Sequence, residues 1–328
     1  MFRYISVGVS QEVQLLLYFK MKFYSRILAL CLLFELGSLT QVSAQIISYK
    51  RNALEFKAGV GGTMFFGDLG GSHGEGKDGF FDYDVQSMRA TTSFGLKFNL
   101  TNKISIRTDV CFAQVMGSDA YSGDPSRFDR NLSFKSDIYE LSFTPEFVLH
   151  FARLGRKKTA TSEIYGFVGF GILQLNPQAE LNGVWYDLQP LGKEGQGLRP
   201  GTELYSLQSW VVTFGVGYRK NIGRKSYLGI ELSMRKSFTD YIDDVSTDYY
   251  NTDALFEERG ETAALLSDRS LSEPAQSFSG RGNPKSNDNY SFIQLTYSRS
   301  IGKQDASASK NEKFFFRLKG KEKCPAFH

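Results

Sequence analysis

The charged side chains best placed to do chemistry in this 328-residue chain recur at even intervals. Arg107 and Asp109 are two apart, Glu231 and Arg235 four, and Glu140 and Glu146 six. In an extended strand a two-residue period puts such residues on one face, where opposite charges meet as ion pairs. The other face is apolar. Tyr139, Leu141, Phe143, Pro145, Phe147, Leu149 and Phe151 alternate with Glu140, Ser142, Thr144, Glu146, Val148 and His150. His150 near Glu146 is the one pair resembling a general base; the plainer reading is a histidine held by a carboxylate, because no nucleophile with a partnering base accompanies it. His73 sits in a glycine-rich loop and His328 is the last residue, and neither supports catalysis. Asp240, Asp243, Asp244 and Asp248 are oxygen ligands of the kind calcium takes, but lack the spacing of a helix–loop–helix site and read more simply as a solvated loop. Gly59–Gly62 and Gly166–Gly171 lie within strand patterns with no helix following, so they do not form a phosphate-binding loop. No catalytic residue and no cofactor is expected.

Eight alternating stretches must position these residues: roughly 53–65, 87–100, 103–116, 132–152, 163–175, 206–220, 225–239 and 289–301. Thr92, Phe94, Leu96 and Phe98 face out from the second, and Arg89, Thr91, Ser93 and Lys97 in. The third turns Ile104, Ile106, Val110 and Phe112 out, the sixth Trp210, Val212, Phe214, Val216 and Tyr218, and the seventh Leu228, Ile230, Leu232 and Met234. The fifth, Tyr165–Ile172, is apolar on both faces and cannot be oriented from its pattern. Connections 66–86, 117–131, 176–205 and 240–288 are long, whereas 100–103, 153–162 and 220–224 are short or polar. An apolar outside, a charged inside and long connections alternating with short ones predict an all-β fold: an eight-stranded antiparallel transmembrane β-barrel with long extracellular loops. A soluble antiparallel sandwich shares the alternation but leaves the charged inner face unexplained. The inward set is Lys57, Arg89, Lys97, Arg107, Arg219 and Arg235 against Glu55, Asp109, Glu140, Glu146 and Glu231. An eight-stranded barrel is just wide enough for side chains to fill, so these charges predict a closed, ion-paired lumen and exclude a porin.

Residues 1–44 read as a signal peptide, with a basic region from Met21 to Arg26, an apolar run from Ile27 to Phe34 and Val42-Ser43-Ala44 before the cleavage point. Met21 is the expected start, with residues 1–20 an extension. The apolar run is far short of the roughly 20 residues a membrane-spanning helix needs. Cys31 follows Leu30, where a lipidation signal has a small residue, so no lipid anchor is expected. Removing this segment leaves a net charge of about +2, a balance that argues against nucleic acid as a partner. Cys111 and Cys324 are too distant in this layout to pair and make no metal constellation.

The barrel is expected over residues 45–301, with a periplasmic C-terminal tail at 302–328. The tail carries seven basic and three acidic side chains with four phenylalanines. Its segment Phe314, Phe315, Phe316, Arg317, Lys319, Lys321 and Lys323 suits a docking peptide. The fourth long connection, rich in Tyr, Asp, Ser and Gly, is either an adhesive surface or a disordered loop.

Gly61-Gly62-Thr63-Met64-Phe65-Phe66-Gly67-Asp68-Leu69 and Phe238-Thr239-Asp240-Tyr241-Ile242-Asp243-Asp244-Val245-Ser246 resemble the opening of a small outer-membrane barrel family of Bacteroidota and the top of its seventh strand. Together with the strand rhythm, the resemblance spans most of residues 50–302. This family includes the PorG-type component of the type IX secretion system. The resemblance implies a non-catalytic barrel in the outer membrane of a Gram-negative bacterium, in contact with outer-membrane lipid and anchoring a periplasmic ring lipoprotein of the secretion machinery. The alternative is a general barrel for envelope integrity or for surface adhesion through its outer loops.

Overall fold

A computed structural model of the chain describes residues 54–69, 85–101, 103–152, 162–223 and 225–301. The expected signal peptide at 1–44 and the tail at 302–328, with its docking residues from Phe314 to Lys323, lie outside the described residues. Ten strands form one sheet: β1 (Leu54–Phe66), β2 (Arg89–Asn99), β3 (Ile104–Ser118), β4 (Ser133–Ala152), β5 (Ser162–Gln174), β6 (Pro177–Leu181), β7 (Val184–Asp187), β8 (Gln208–Asn221), β9 (Ser226–Ser237) and β10 (Asn289–Ile301). Eight of them close a ring in the order β1-β2-β3-β4-β5-β8-β9-β10, sealed where β10 pairs antiparallel with β1. Leu54 faces Ile301 across that seam, so both ends of the barrel lie at the rim that carries the short turns. The four long connections all leave from the opposite rim. Each ring strand has at least the 9–11 residues that a tilted strand needs to cross a bilayer.

The faces are inverted relative to a water-soluble protein. Outward Val60, Leu149 and Trp210 are 56 %, 66 % and 58 % exposed, while inward Lys57, Arg107 and Glu231 are 6 %, 3 % and 2 % exposed. Lipid is the solvent in which such an exterior costs nothing, and closure leaves no ring strand with an unpaired backbone edge. The fold is therefore an eight-stranded antiparallel transmembrane β-barrel.

Strand β5 acquires an orientation through its neighbour. Tyr165 pairs with Gly217 and Phe167 with Gly215 of β8. A Cβ on Gly217 would lie 2.2 Å from the Tyr165 ring, and one on Gly215 would lie 2.6 Å from the Phe167 ring. The two rings lie inward over the glycines, and Ile164, Val168, Phe170 and Ile172 turn outward. Inward aromatics covering glycines hide the period that polar inward residues reveal elsewhere.

Beyond the ring, β4 runs on past the end of β5 and pairs with β6, which forms a hairpin with β7. The fourth connection is folded as well, with helices α2 (Thr252–Arg259) and α3 (Glu261–Ser267) following α1 (Pro125–Arg130) of the second. The alternative of a disordered fourth loop is thereby corrected: Leu255, Ala263 and Leu266 are buried, and burial of that kind holds a loop in place.

Candidate functional site

The lumen has two layers, and the charged one lies toward the short-turn rim. Glu231 accepts from Lys57 Nζ at 2.8 and 3.0 Å, from both Nη atoms of Arg107 at 3.1 Å, and from the Tyr165 hydroxyl at 3.0 Å. Arg107 also donates through Nε to Asp109 at 2.5 Å and through Nη1 to Glu146 at 3.3 Å. Arg219 bridges Glu146 at 2.6 Å and Glu163 at 2.5 Å, and Lys97 meets Glu55 at 2.6 Å. The void beside Lys57, Arg107 and Glu231 has no room for a water-sized molecule, and that around Lys97, Glu146 and Arg219 has room for about one. Strands from around the ring supply these groups, so the network ties the walls together across the lumen.

A second, smaller polar group sits higher. Arg235 Nε donates to Glu140 at 3.0 Å, as does the Tyr290 hydroxyl at 2.9 Å. Above it the inward residues turn apolar: Ala113 and Val115 on β3, Phe134 and Ile138 on β4, and Tyr290 and Phe292 on β10. Leu69, Ile242 and Val245 descend from the first and fourth connections into the same cluster. The lumen is therefore charged in one half and apolar in the other, so the expected ion pairs fill its lower half and an apolar layer the upper.

The connections above this apolar layer form a cap held by buried charges. Glu194 accepts the backbone N–H groups of Ser246 and Thr247 at 2.9 and 3.1 Å, and Arg281 Nη1 at 2.8 Å. Burial works against its charge, but Arg281 and these donors outweigh it and hold the carboxyl below its usual range. Lys193 meets Asp244 at 3.0 Å, and the Tyr205 hydroxyl donates to the same carboxylate at 2.5 Å. Burial lowers the Lys193 amine to about 8. Arg130, paired with Asp119, donates to the carbonyl oxygens of Asp68 at 2.7 Å and Arg281 at 2.6 Å. Side chains from all four long connections take part.

The six lumen residues read from the sequence thus fall into two groups: Arg107, Asp109, Glu146 and Glu231 in the lower layer, and Glu140 with Arg235 above. Arg89 leaves the lumen and donates at the rim to the carbonyl oxygens of Gln86 and Met88. Two further expectations are corrected. A register shift between Val148 and His150 ends the alternation, leaving His150 exposed and Glu146 committed to Lys97, Arg107 and Arg219. The four loop aspartates form neither a cation site nor a solvated loop, for Asp240, Asp243 and Asp244 are buried. Asp244 turns to Lys193 and Tyr205, Asp243 accepts the N–H groups of Leu69 and Val245, and Asp248 lies in a backbone bridge to Gly280. Among the described residues no three acidic, histidine or cysteine side chains are placed to hold a metal ion. Sequence reading missed Glu163 and Tyr165 on β5, whose inner face is largely aromatic, and Tyr290 at the apolar end of β10. It also missed the cap contacts, such as the Glu194–Arg281 ion pair, 87 residues apart, and the bond from Arg130 to the Arg281 carbonyl oxygen, 151 apart.

Comparison with solved structures finds Neisserial surface protein A at 6 % identity and a TM-score of 0.35, with 76 % of this chain and 97 % of that one covered. Ail, the attachment invasion locus protein of Yersinia pestis, is similar at 10 % identity and a TM-score of 0.32, covering 75 % and 98 %. The N-terminal β-barrel domain of Pseudomonas aeruginosa OprF gives 7 % and 0.29, covering 76 % and 98 %. At such low similarity the fold assignment rests on the strand pairing itself. No curated protein matches the chain. Residues 29–256 match the family described as a domain of unknown function (DUF6089). That match spans well over half of the chain, from before β1 into α2, and the protein belongs to the DUF6089 family.

Proposed function

We propose that this is a non-catalytic outer-membrane barrel, embedded in outer-membrane lipid, that works through the outer surface of its folded cap. The observation that carries this reading is the filling of the lumen from both ends. Ion pairs close the half near the short turns, and an apolar layer tied to the cap closes the other. A barrel so filled neither conducts nor leaves its lumen carboxylates free for proton transfer. What it offers is a rigid surface at the rim of the long connections, which in outer-membrane barrels faces the exterior. Replacing residues 240–288 by a two-residue turn in the native strain tests this. The barrel should still assemble while attachment to surfaces or other cells falls. Unchanged attachment, with the shortened barrel present in the outer membrane, would contradict it.

A second reading is favoured by the resemblance of residues 61–69 and 238–246 to the PorG-type barrels of Bacteroidota. In it the protein is a structural component of the type IX secretion system that anchors a periplasmic ring lipoprotein, with Phe314, Phe315, Phe316, Arg317, Lys319, Lys321 and Lys323 as the docking segment. Cross-linking in intact cells should then recover the lipoprotein with the full chain and lose it when residues 302–328 are removed. Normal export of type IX cargo from a deletion strain would rule this reading out.

A further inference from the structure

The cap carries a cluster that none of the stabilising pairs explains. Arg199 lies with its guanidinium 5.3 Å from the ring centre of Tyr250 and 5.3 Å from that of Phe278. The two rings meet edge to face, 6.4 Å apart. The Arg199 Nε is buried without an acceptor, and Nη2 reaches only the Tyr249 carbonyl oxygen, at 3.5 Å. Arg259, at the end of α2, donates weakly to the carbonyl oxygens of Pro190 at 3.2 Å and Gln196 at 3.4 Å. Among the described residues neither guanidinium pairs with a carboxylate.

Both groups abut the stretch Gly195-Gln196-Gly197, whose glycines have φ of +81° and +77°. A Cβ on Gly195 would lie 3.0 Å from Arg199 Nε and 2.5 Å from the Tyr250 ring, and one on Gly197 would lie 3.1 Å from Arg259 Nη2. Gly195 lets the Tyr250 ring and Arg199 close against the backbone, and Gly197 is exposed beside Arg259. Phe278 itself is 64 % exposed and adopts φ 68°, a left-handed conformation that is unfavourable for a bulky residue. Backbone bonds from Phe278 N to Tyr249 O at 2.8 Å and from Tyr249 N to Ser279 O at 2.9 Å hold it there. The fold thus spends strain to display an aromatic ring next to the Arg199 guanidinium, which meets no carboxylate among the described residues.

From this geometry we infer that Arg199, Arg259, Tyr250 and Phe278 form a binding site for an acidic polysaccharide. Guanidinium groups pair with carboxylates in a planar, two-point arrangement. The exposed Phe278 ring has a negative face that attracts the polarised C–H groups of a sugar ring. This site rests on the reading that the cap faces the exterior.

The test is titration of the full-length barrel in lipid nanodiscs with a carboxylated oligogalacturonate, its methyl-esterified counterpart and polyglutamate. Oligogalacturonate should bind and the neutral ester should not. Loss of one charged contact is worth about tenfold in affinity, so Arg199→Gln should weaken binding by about that factor. Phe278→Gly removes the ring and relieves the left-handed strain, so it should weaken binding while leaving the thermal midpoint unchanged or higher. No binding of oligogalacturonate, or equal binding of polyglutamate, would overturn the assignment. Protease accessibility of the cap on intact cells is read separately: a cap shielded from protease would fault the exterior reading and not the ligand chemistry.

Discussion

Leu69 donates its backbone N–H to Asp243 Oδ2 at 3.1 Å, joining two parts of the chain 174 residues apart. The bond unites the two segments that resemble a known barrel family, one leaving β1 and the other following β9. Asp68 accepts the N–H of Asn283 at 2.6 Å and Asp288 that of Ile242 at 2.8 Å, so three aspartates fasten the first connection to both ends of the fourth. Their neighbours Leu69, Ile242 and Val245 are the residues that enter the apolar layer of the lumen. These segments therefore make the joint between barrel and cap.

Removing that joint should loosen the cap before the barrel. Asp243→Ala strips the acceptor from two N–H groups, and each buried donor left unpaired costs about 1–3 kcal/mol. Limited proteolysis should cut the variant within 240–288 at protease levels that leave the native protein whole, with the strands protected in both. Identical cleavage of the two would show that the bond does not hold the cap.

The joint should also respond to pH. Both carboxylate oxygens of Asp240 are buried without a donor at bonding distance. Burial lifts its carboxyl to about 7 from an ordinary 3.8, with Asp68 and Glu194 adding to the rise and the nearby Ser246 hydroxyl opposing it. Burial, with other aspartates of the joint adding to it, also raises Asp243 and Asp288. A raised carboxyl stabilises the folded cap when protonated. That contribution is complete below about pH 4 and is lost as pH climbs through 7. Proteolysis of the cap by a pH-tolerant protease should therefore accelerate from about pH 4 to about pH 7 and level off above that. Asp240→Asn should flatten the profile, and a profile of the same slope in that variant would count against Asp240 as its source.

In the lumen, Glu231 compensates Lys57 and Arg107 together. Glu231→Ala leaves both cations buried with fewer partners and should cost about 3–5 kcal/mol. The urea midpoint of the barrel in detergent should fall accordingly. If Lys57→Met is added, the double variant should recover part of the loss, because the mismatch is a buried charge rather than a missing contact. An unchanged midpoint for Glu231→Ala would mean that the network does not bear on stability.

Gly217→Ala probes the glycine–aromatic pairing that orients β5. The new methyl group falls 2.2 Å from the Tyr165 ring. Forcing the ring aside should cost about 1–3 kcal/mol and disturb its bond to Glu231. Gly183→Ala, at a hairpin tip with open space around it, controls for the general effect of replacing glycine, although φ +80° there adds local strain. A larger midpoint shift at position 183 than at 217 would contradict the packing account.

Much of this molecule can be read from alternation alone, for a physical reason. Where lipid lies on one side and ions on the other, as along β3 and β4, every second residue must change character. Even the division of the lumen is written in β3, whose inward residues run Arg107, Asp109, Cys111, Ala113, Val115 from charged to apolar. Alternation fails where both faces are apolar, so β5 was legible only through its glycine partners on β8. The Val148 bulge reversed the face of His150 without any local signal. The cap is the extreme case. Glu194, Arg281 and Asp244 belong to segments with no period, and what joins them is three-dimensional proximity between distant connections.

The central claim is that a closed barrel holds its fourth connection as a folded cap, and amide hydrogen exchange on the full-length protein in lipid tests it most directly. The N–H groups of Leu69, Ile242, Val245, Ser246 and Arg281, each bonded within the cap or its joint, should exchange slowly, on the scale of β9 and β10. Exchange of residues 240–288 at the rate of an unstructured chain, beside protected strands, would contradict the claim.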